Sequence, residues 1–274
     1  GDLNGNGTFG EPGEEFAQGL GMIVVDKPVT LVSRDGSQTT VLDAGGANLN
    51  VVFITASSVV FGQPKHGFLI IGAGPGRNGL AITSDSNVVA GNTALANGGA
   101  GLIVEGSANL VRDNSASGNL AAGIAIFGSG SEAGNNVASS NGQGFLITGS
   151  GHLLRDNVAI SNFTGFSILG TDIQLRRNSV LGNKFHGIGV EVPGASATIS
   201  KNNIYGNNSV PLNGVINCGI KNVSGNAIIA TDNFWGASSG PGLDPADNGG
   251  FAVACDEGAG STTIVIPFAT KEFK

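Results

Sequence analysis

Lys184, Phe185, His186, Glu191 and Tyr205 form the cluster in this sequence best suited to chemistry. It lies next to residues 208–218, which interrupt the pattern around them, and inserted loops often build binding grooves. Proton abstraction beside a carboxylate needs a base, such as Lys or His, and a cation that neutralises the carboxylate. Lys184 or His186 suits the base, and Arg176 or Arg177 the cation, with Glu191 and Tyr205 contacting substrate. The plainer reading is a set of surface residues at a turn, since no paired acidic calcium ligands accompany them.

A second arrangement is a basic ladder. Arg112, Arg155 and Arg176 share one face, with Glu132 between the first two and Asp113, Asp156, Arg177 and Lys201 beside them. Arg112 and Arg155 would then grip a polyanionic sugar. The competing reading is a solvated face whose charges neutralise one another, because surface ion pairs are common and weak.

Other constellations are weaker. Asp2-x-Asn4-x-Asn6-Gly7 matches the first half of a calcium loop, so Asp2, Asn4 and Asn6 are candidate calcium ligands. Its twelfth position is Gly13 rather than Glu, and Glu14 and Glu15 follow late, so a polar terminus is the alternative. His66 and His186 precede equivalent glycines about five or six rungs of 4.8 Å apart, and His152 belongs to another corner, which excludes a three-histidine metal site. Glu105 and Glu191 share a position but stand about four rungs apart, too far for a glycosidase pair. Asp244, Asp247, Asp256 and Glu257 lie in the tail. Cys218 and Cys255 form at most one disulfide. Paired, they staple the tail to the inserted loop; unpaired, they are two buried thiols.

These residues need a scaffold, and composition narrows it. Gly accounts for 47 of 274 residues, while charged residues make up 12% and aromatics 6%. Glycine is a poor helix former, which argues against a helical bundle. Disorder is excluded by a 40% hydrophobic share at low charge. A net charge of −7 makes nucleic acid an unsuitable partner. No apolar run reaches the length of a membrane span. Gly1 opens into a polar stretch without a signal-peptide pattern, the form expected of a mature secreted chain or a trimmed one.

An internal repeat sets the architecture. Asn92, Asn114, Asn136, Asn157, Asn178 and Asn202 are spaced by 22, 22, 21, 21 and 24 residues. A second series, Asn97, Asn119, Asn141, Asn162, Asn183 and Asn207, follows five residues later. Gly79, Gly101, Gly123, Gly144, Gly165 and Gly187 keep the same rhythm. Apolar alternation after each glycine predicts a strand with two inward columns. One runs Phe68, Leu80, Leu102, Ile124, Phe145, Phe166, Ile188. The other runs Ile70, Ile82, Val104, Ile126, Ile147, Ile168, Val190. A second strand carries Val89, Val111, Ala133, Leu154, Leu175 and Ile199. A third carries Ala94, Ala116, Ala138, Ala159, Val180 and Ile204. Three strands per coil of 21–22 residues imply an all-β, single-stranded parallel β-helix of about eight to nine coils, and strand crossovers favour the right hand. Asparagine at the corners tolerates left-handed backbone angles and can hydrogen-bond the amide one rung away. Glycine is expected to serve the third corner in the same way. Outward Leu69, Ile71, Ile103, Phe127, Leu146 and Leu169 suggest an apolar face open to self-association or covered by a tail.

The chain resembles the right-handed parallel β-helix proteins of the pectin-lyase-like superfamily, with the repeat type of NosD-like periplasmic proteins. Val25-Asp26-Lys27-Pro28-Val29-Thr30-Leu31-Val32, then Thr40-Val41-Leu42-Asp43, resemble that group's opening coils. Asp232-Asn233-Phe234-Trp235-Gly236 through Gly242 resembles its closing segment. The resemblance implies the fold over residues 22–270. It implies no single activity, because such repeats serve lyases, hydrolases, epimerases and non-enzymatic proteins alike.

The expected organisation is one domain: an irregular leader at 1–21, a β-helix at 22–233 with an insertion at 208–218, and a capping segment at 234–274. The leading functional expectation is a protein of an extracellular, cell-surface or periplasmic compartment that recognises polysaccharide without an evident catalytic centre. The alternatives are a polysaccharide lyase or uronate epimerase, and a structural or assembly module that uses the apolar face. Calcium is the one cofactor the residues suggest.

Overall fold

The computed structural model describes residues 21–207, 218–241 and 254–274. These residues form short strands and no helix. The strands assemble into three parallel sheets of ten, ten and eight strands. Within each sheet the neighbours are every third strand in the chain, except the last pair of the first and second sheets, which are two apart, so the backbone visits the sheets in rotation and winds a right-handed solenoid. The first sheet starts at Gly21–Val25, the second at Thr30–Leu31 and the third at Val41–Asp43.

The inward columns stack in register. Leu80, Leu102, Ile124, Phe145, Phe166, Ile188 and Ile220 face one another in the first sheet. All are fully buried, and each such side chain contributes about 1.5–3 kcal/mol. Phe145 and Phe166 stack at 4.6 Å between ring centroids with planes 9° apart. The third sheet presents Ala94, Ala116, Ala138 and Ala159, all buried, between the larger Ile70 before them and Val180 and Ile204 after them.

Two expected positions move. Phe68 and Ile70 do not head the first sheet's columns. Those columns begin at Ile23 and Val25 and continue through Val52 and Ile54 to Leu80 and Ile82. Ile70 belongs to the third sheet, between Leu42 and Ala94, and the Phe68 ring packs 4.9 Å from that of Phe61. The coil from Val52 to Leu80 is 28 residues long where the next, from Leu80 to Leu102, is 22. A constant period therefore slips onto the wrong sheet.

The corner chemistry also differs in detail. Each ladder asparagine bonds its neighbour, but the left-handed residue is the one before it: Asp113 (φ 58), Asp156 (φ 58), Arg177 (φ 55) and Lys201 (φ 59). The series glycines are needed for space rather than for φ. A Cβ on Gly101 would lie 2.7 Å from the Gly123 carbonyl oxygen and 2.8 Å from Asn119 Nδ2.

The C-terminal segment extends two sheets before it closes the end. Ala254–Asp256 pairs with Ile220–Asn222, and Thr262–Ile264 pairs with Ala227–Ile229. The chain then crosses to the third sheet's last strand, Asn203–Tyr205. There Asn203 Nδ2 donates to the Phe273 carbonyl and the Phe273 N–H donates to Asn203 Oδ1, both at 2.9 Å. The strand's backbone edge is met by Phe234, which accepts from the Ile204 N–H at 2.8 Å and donates to the Asn202 carbonyl at 2.9 Å, so that it does not pair with another chain. Trp235 is fully buried beneath the closure.

Candidate functional site

The arginines do lie in one column of the second sheet, where Arg112, Gly134, Arg155 and Arg176 follow one another. Most are already occupied. Arg112 Nη1 donates to Asp113 Oδ2 at 2.7 Å. Arg155 Nε donates to Glu132 Oε1 at 2.7 Å and its Nη1 to Asp156 Oδ2 at 3.1 Å. Arg177 closes the network on Asp156 at 2.7 and 2.9 Å. Hydrogen bonds from Arg177, then from Arg155, hold the Asp156 carboxyl below its ordinary range. Arg176 is exposed and has no ion-pair partner among the described residues. The geometry is that of a largely self-neutralised face rather than a grip for a polyanion.

Arg176 and Arg177 do not meet the proposed bases. Arg176 ends a strand of the second sheet, and Lys184 and His186 follow the next strand, Ser179–Leu181 of the third sheet, at the turn into the first. Lys184 is exposed there. Tyr205 faces out from the third sheet, where its hydroxyl donates to Glu272 Oε1 at 2.8 Å. Only His186 and Glu191 of the sequence-derived cluster, with Phe185, line a common groove.

That groove, about 380 Å³ in volume, runs over the outward face of the first sheet. The coil places its residues by position. The residue before each corner glycine projects at one edge: Gln143 before Gly144, Thr164 before Gly165, His186 before Gly187. The alternate outward residues of the strands supply Ser167 and Lys221. Phe163 and Phe185 form a wall, with rings 5.2 Å apart and 22° from parallel, and Phe163 is 45% exposed.

His186 is 2% exposed. Its Nδ1 accepts the Cys218 backbone N–H at 3.3 Å, which assigns the neutral ring's proton to Nε2. That buried Nε2–H has no partner among the described residues. Burial first, and the nearby Lys221 ammonium second, lower its pKa to about 4, against the opposing pull of Glu257. The ring is therefore neutral at physiological pH. Its one free lone pair is engaged by Cys218, so it is poorly arranged as a base and well arranged as a donor.

Glu191 stands at the groove rim and reaches solvent. Its Oε1 accepts the Ser167 hydroxyl at 3.2 Å. Partial desolvation by the groove walls raises its pKa, opposed by Ser167 and Lys221. Lys221 Nζ is paired with Glu257 Oε2 at 2.9 Å.

Beyond Gln143 the same face turns apolar. Gln143 also lines a second depression of about 380 Å³, bounded by Ile103, Leu120, Phe127 and Leu146. Three of the residues expected on an apolar face, Ile103, Phe127 and Leu146, come together here around buried Ala100, Ala122 and Ala125. Leu69 and Ile71 lie on the third sheet instead. Leu169 holds the position after Ile168 that Phe127 holds after Ile126.

Cys218 is buried and disulfide-bonded. The Cys255 backbone pairs with Lys221, and its side chain lies outside the described residues. So do Asp2, Asn4 and Asn6, the candidate calcium ligands. Among the described residues no group of three or more His, Cys, Asp or Glu is placed to hold a metal, and no helix is long and apolar enough to cross a membrane.

Sequence reasoning missed Gln143, Phe163, Thr164, Ser167 and Lys221. A signal existed for Gln143 and Thr164, which hold the place of His186 in earlier coils. Lys221 carried none, since it follows the inserted segment that breaks the period.

A family model described as right-handed β-helix region matches residues 78–235, more than half of the chain. No curated protein matches it in sequence.

Proposed function

Since the chain belongs to the right-handed β-helix family, we propose that it is a glycan-recognition protein that binds a polysaccharide along the outward face of its first sheet. The observation that carries this reading is the His186 Nε2–H, a buried donor without a partner among the described residues, at the wall of the groove. Native proteins rarely leave such a group unpaired, and a ligand oxygen or a bridging water is the usual partner. Around it stand the groups a sugar needs. Gln143, Thr164, Ser167 and Glu191 offer hydrogen bonds. The Phe163 and Phe185 rings offer an apolar wall for the carbon face of a pyranose. The sheet repeats at about 4.8 Å per rung, so Gln143, Thr164 and His186 meet an extended polymer on successive rungs.

A lyase or epimerase would need a free base facing a neutralised carboxylate. The engaged lone pair of His186 and the position of Arg176 and Arg177 on other faces move the weight to binding. The apolar stretch beside Gln143 is continuous with the groove and reads as part of the same surface, ahead of a separate assembly face. The disulfide at Cys218 supports an oxidising compartment, extracellular, cell-surface or periplasmic.

Affinity electrophoresis against a panel of soluble polysaccharides tests the reading. At least one polymer class should retard the protein, and Phe163→Ala should weaken that binding by about five- to fifty-fold, as loss of one aromatic contact implies. Retardation by no polymer, or retardation indifferent to Phe163→Ala, would overturn it.

A further inference from the structure

We infer that the groove selects an uncharged polyhydroxylated chain, a neutral glycan, and rejects uronate polymers, with Glu191 as the residue that discriminates. This rests on the glycan-binding reading and names its substrate class. Among the described residues Lys221 is the only cation in the groove wall. Its ammonium is already bound to Glu257 at 2.9 Å. Glu191 lies in the same wall and accepts from Ser167. A carboxylate entering here would meet two carboxylates against one ammonium. It would also approach a chain of net charge −7, whose field slows the encounter.

The second sheet does not offer uronates a better site. Its Arg112, Arg155 and Arg177 are held by Asp113, Glu132 and Asp156. Replacing those partners by a sugar carboxylate exchanges one ion pair for another, with little gain at exposed positions. A neutral hydroxyl, by contrast, can both donate and accept. It can give its hydrogen to Glu191 or Gln143 and serve as the acceptor for the buried His186 Nε2–H, whereas a carboxylate can only accept and has nothing to offer Glu191. Aromatic walls such as Phe163 and Phe185 likewise favour the carbon face of an uncharged ring over a carboxylate.

Isothermal calorimetry of the full chain at pH 7 with neutral polymers (β-glucan, mannan, galactan) and uronate polymers (polygalacturonate, alginate) tests this. A neutral polymer should bind at least ten-fold more tightly than either uronate. Glu191→Gln should raise uronate affinity relative to neutral affinity by about ten-fold, the effect of removing one close like charge. Tighter binding of a uronate polymer would sink this inference and leave glycan recognition standing. An unchanged affinity ratio in Glu191→Gln would remove Glu191 as the discriminating residue. Binding of no polymer would remove the glycan reading itself. Circular dichroism of the variant would show whether the solenoid is intact, and Glu191→Ala provides a second removal of the charge.

Discussion

Asn119 is joined twice to Asn141, through its backbone N–H at 2.9 Å and its Nδ2 at 3.0 Å, both donated to the same Oδ1. Asn141 repeats the pattern on Asn162, and its Nδ2 also donates to the Ala116 carbonyl at 3.0 Å. Every polar atom of the buried amide is thereby satisfied, and each rung constrains the next. Such a network stabilises only while it is complete.

Asn141→Ala should therefore cost about 2–4 kcal/mol. It strands the Asn119 donors and the Ala116 carbonyl in a buried environment, where each lost partner costs about 1–3 kcal/mol. Urea unfolding measures this, and a loss below about 0.5 kcal/mol would contradict the ladder's role.

Phe145→Ala should cost about 3–5 kcal/mol, since it opens a cavity in a core that stacks Phe145 on Phe166 at 4.6 Å. Leu120→Ala should stay within about 0.5 kcal/mol, because Leu120 is 77% exposed. Comparable losses in both variants would mean that the core is not where the columns place it.

The folded-state pKa of His186, about 4, lies below its ordinary value of 6.5. The unfolded chain therefore binds the proton more readily. Stability from this residue is complete above pH 6.5 and is lost as pH falls from 6.5 toward 4. His152, buried with Nδ1 accepting from Ser131 and Nε2 donating to the Thr148 carbonyl, is lowered in the same direction and adds to the effect. The urea midpoint should drop across that window, and His186→Gln should flatten the drop. A histidine resonance of His186 that titrates near 6.5 by NMR would refute the buried neutral ring.

Arg155→Ala should lower stability by less than about 1 kcal/mol, since its pairs with Glu132 and Asp156 are partly exposed. It should also leave polysaccharide retardation unchanged, because its face is the second sheet and not the groove. A loss of binding in this variant would return the basic ladder to consideration as the ligand site.

Periodicity made the fold legible. The asparagine and glycine series, with apolar alternation between them, define three strands per coil, and the structure keeps those columns from Leu80 to Ile204. It failed where coil length changed. Phe68 and Ile70 were displaced because the coil ahead of Leu80 is longer than its successors. The candidate site was legible only in part, through Phe185, His186 and Glu191.

What the sequence determined by itself is the repeating unit, because a ladder requires the same residue type at the same step and so writes itself into the spacing. The tertiary structure alone decided which outward residues share a face. Neighbours across rungs lie about twenty residues apart in the chain, and whether their side chains converge depends on which sheet each coil assigns them to. Lys221 reaches Glu257 and the groove of His186 only because the chain resumes its register after residue 217. Arg176, ten residues before His186, is turned to another face by the intervening corner. Proximity along the chain was thus a poor guide to the site, and the winding of the solenoid supplied the rest.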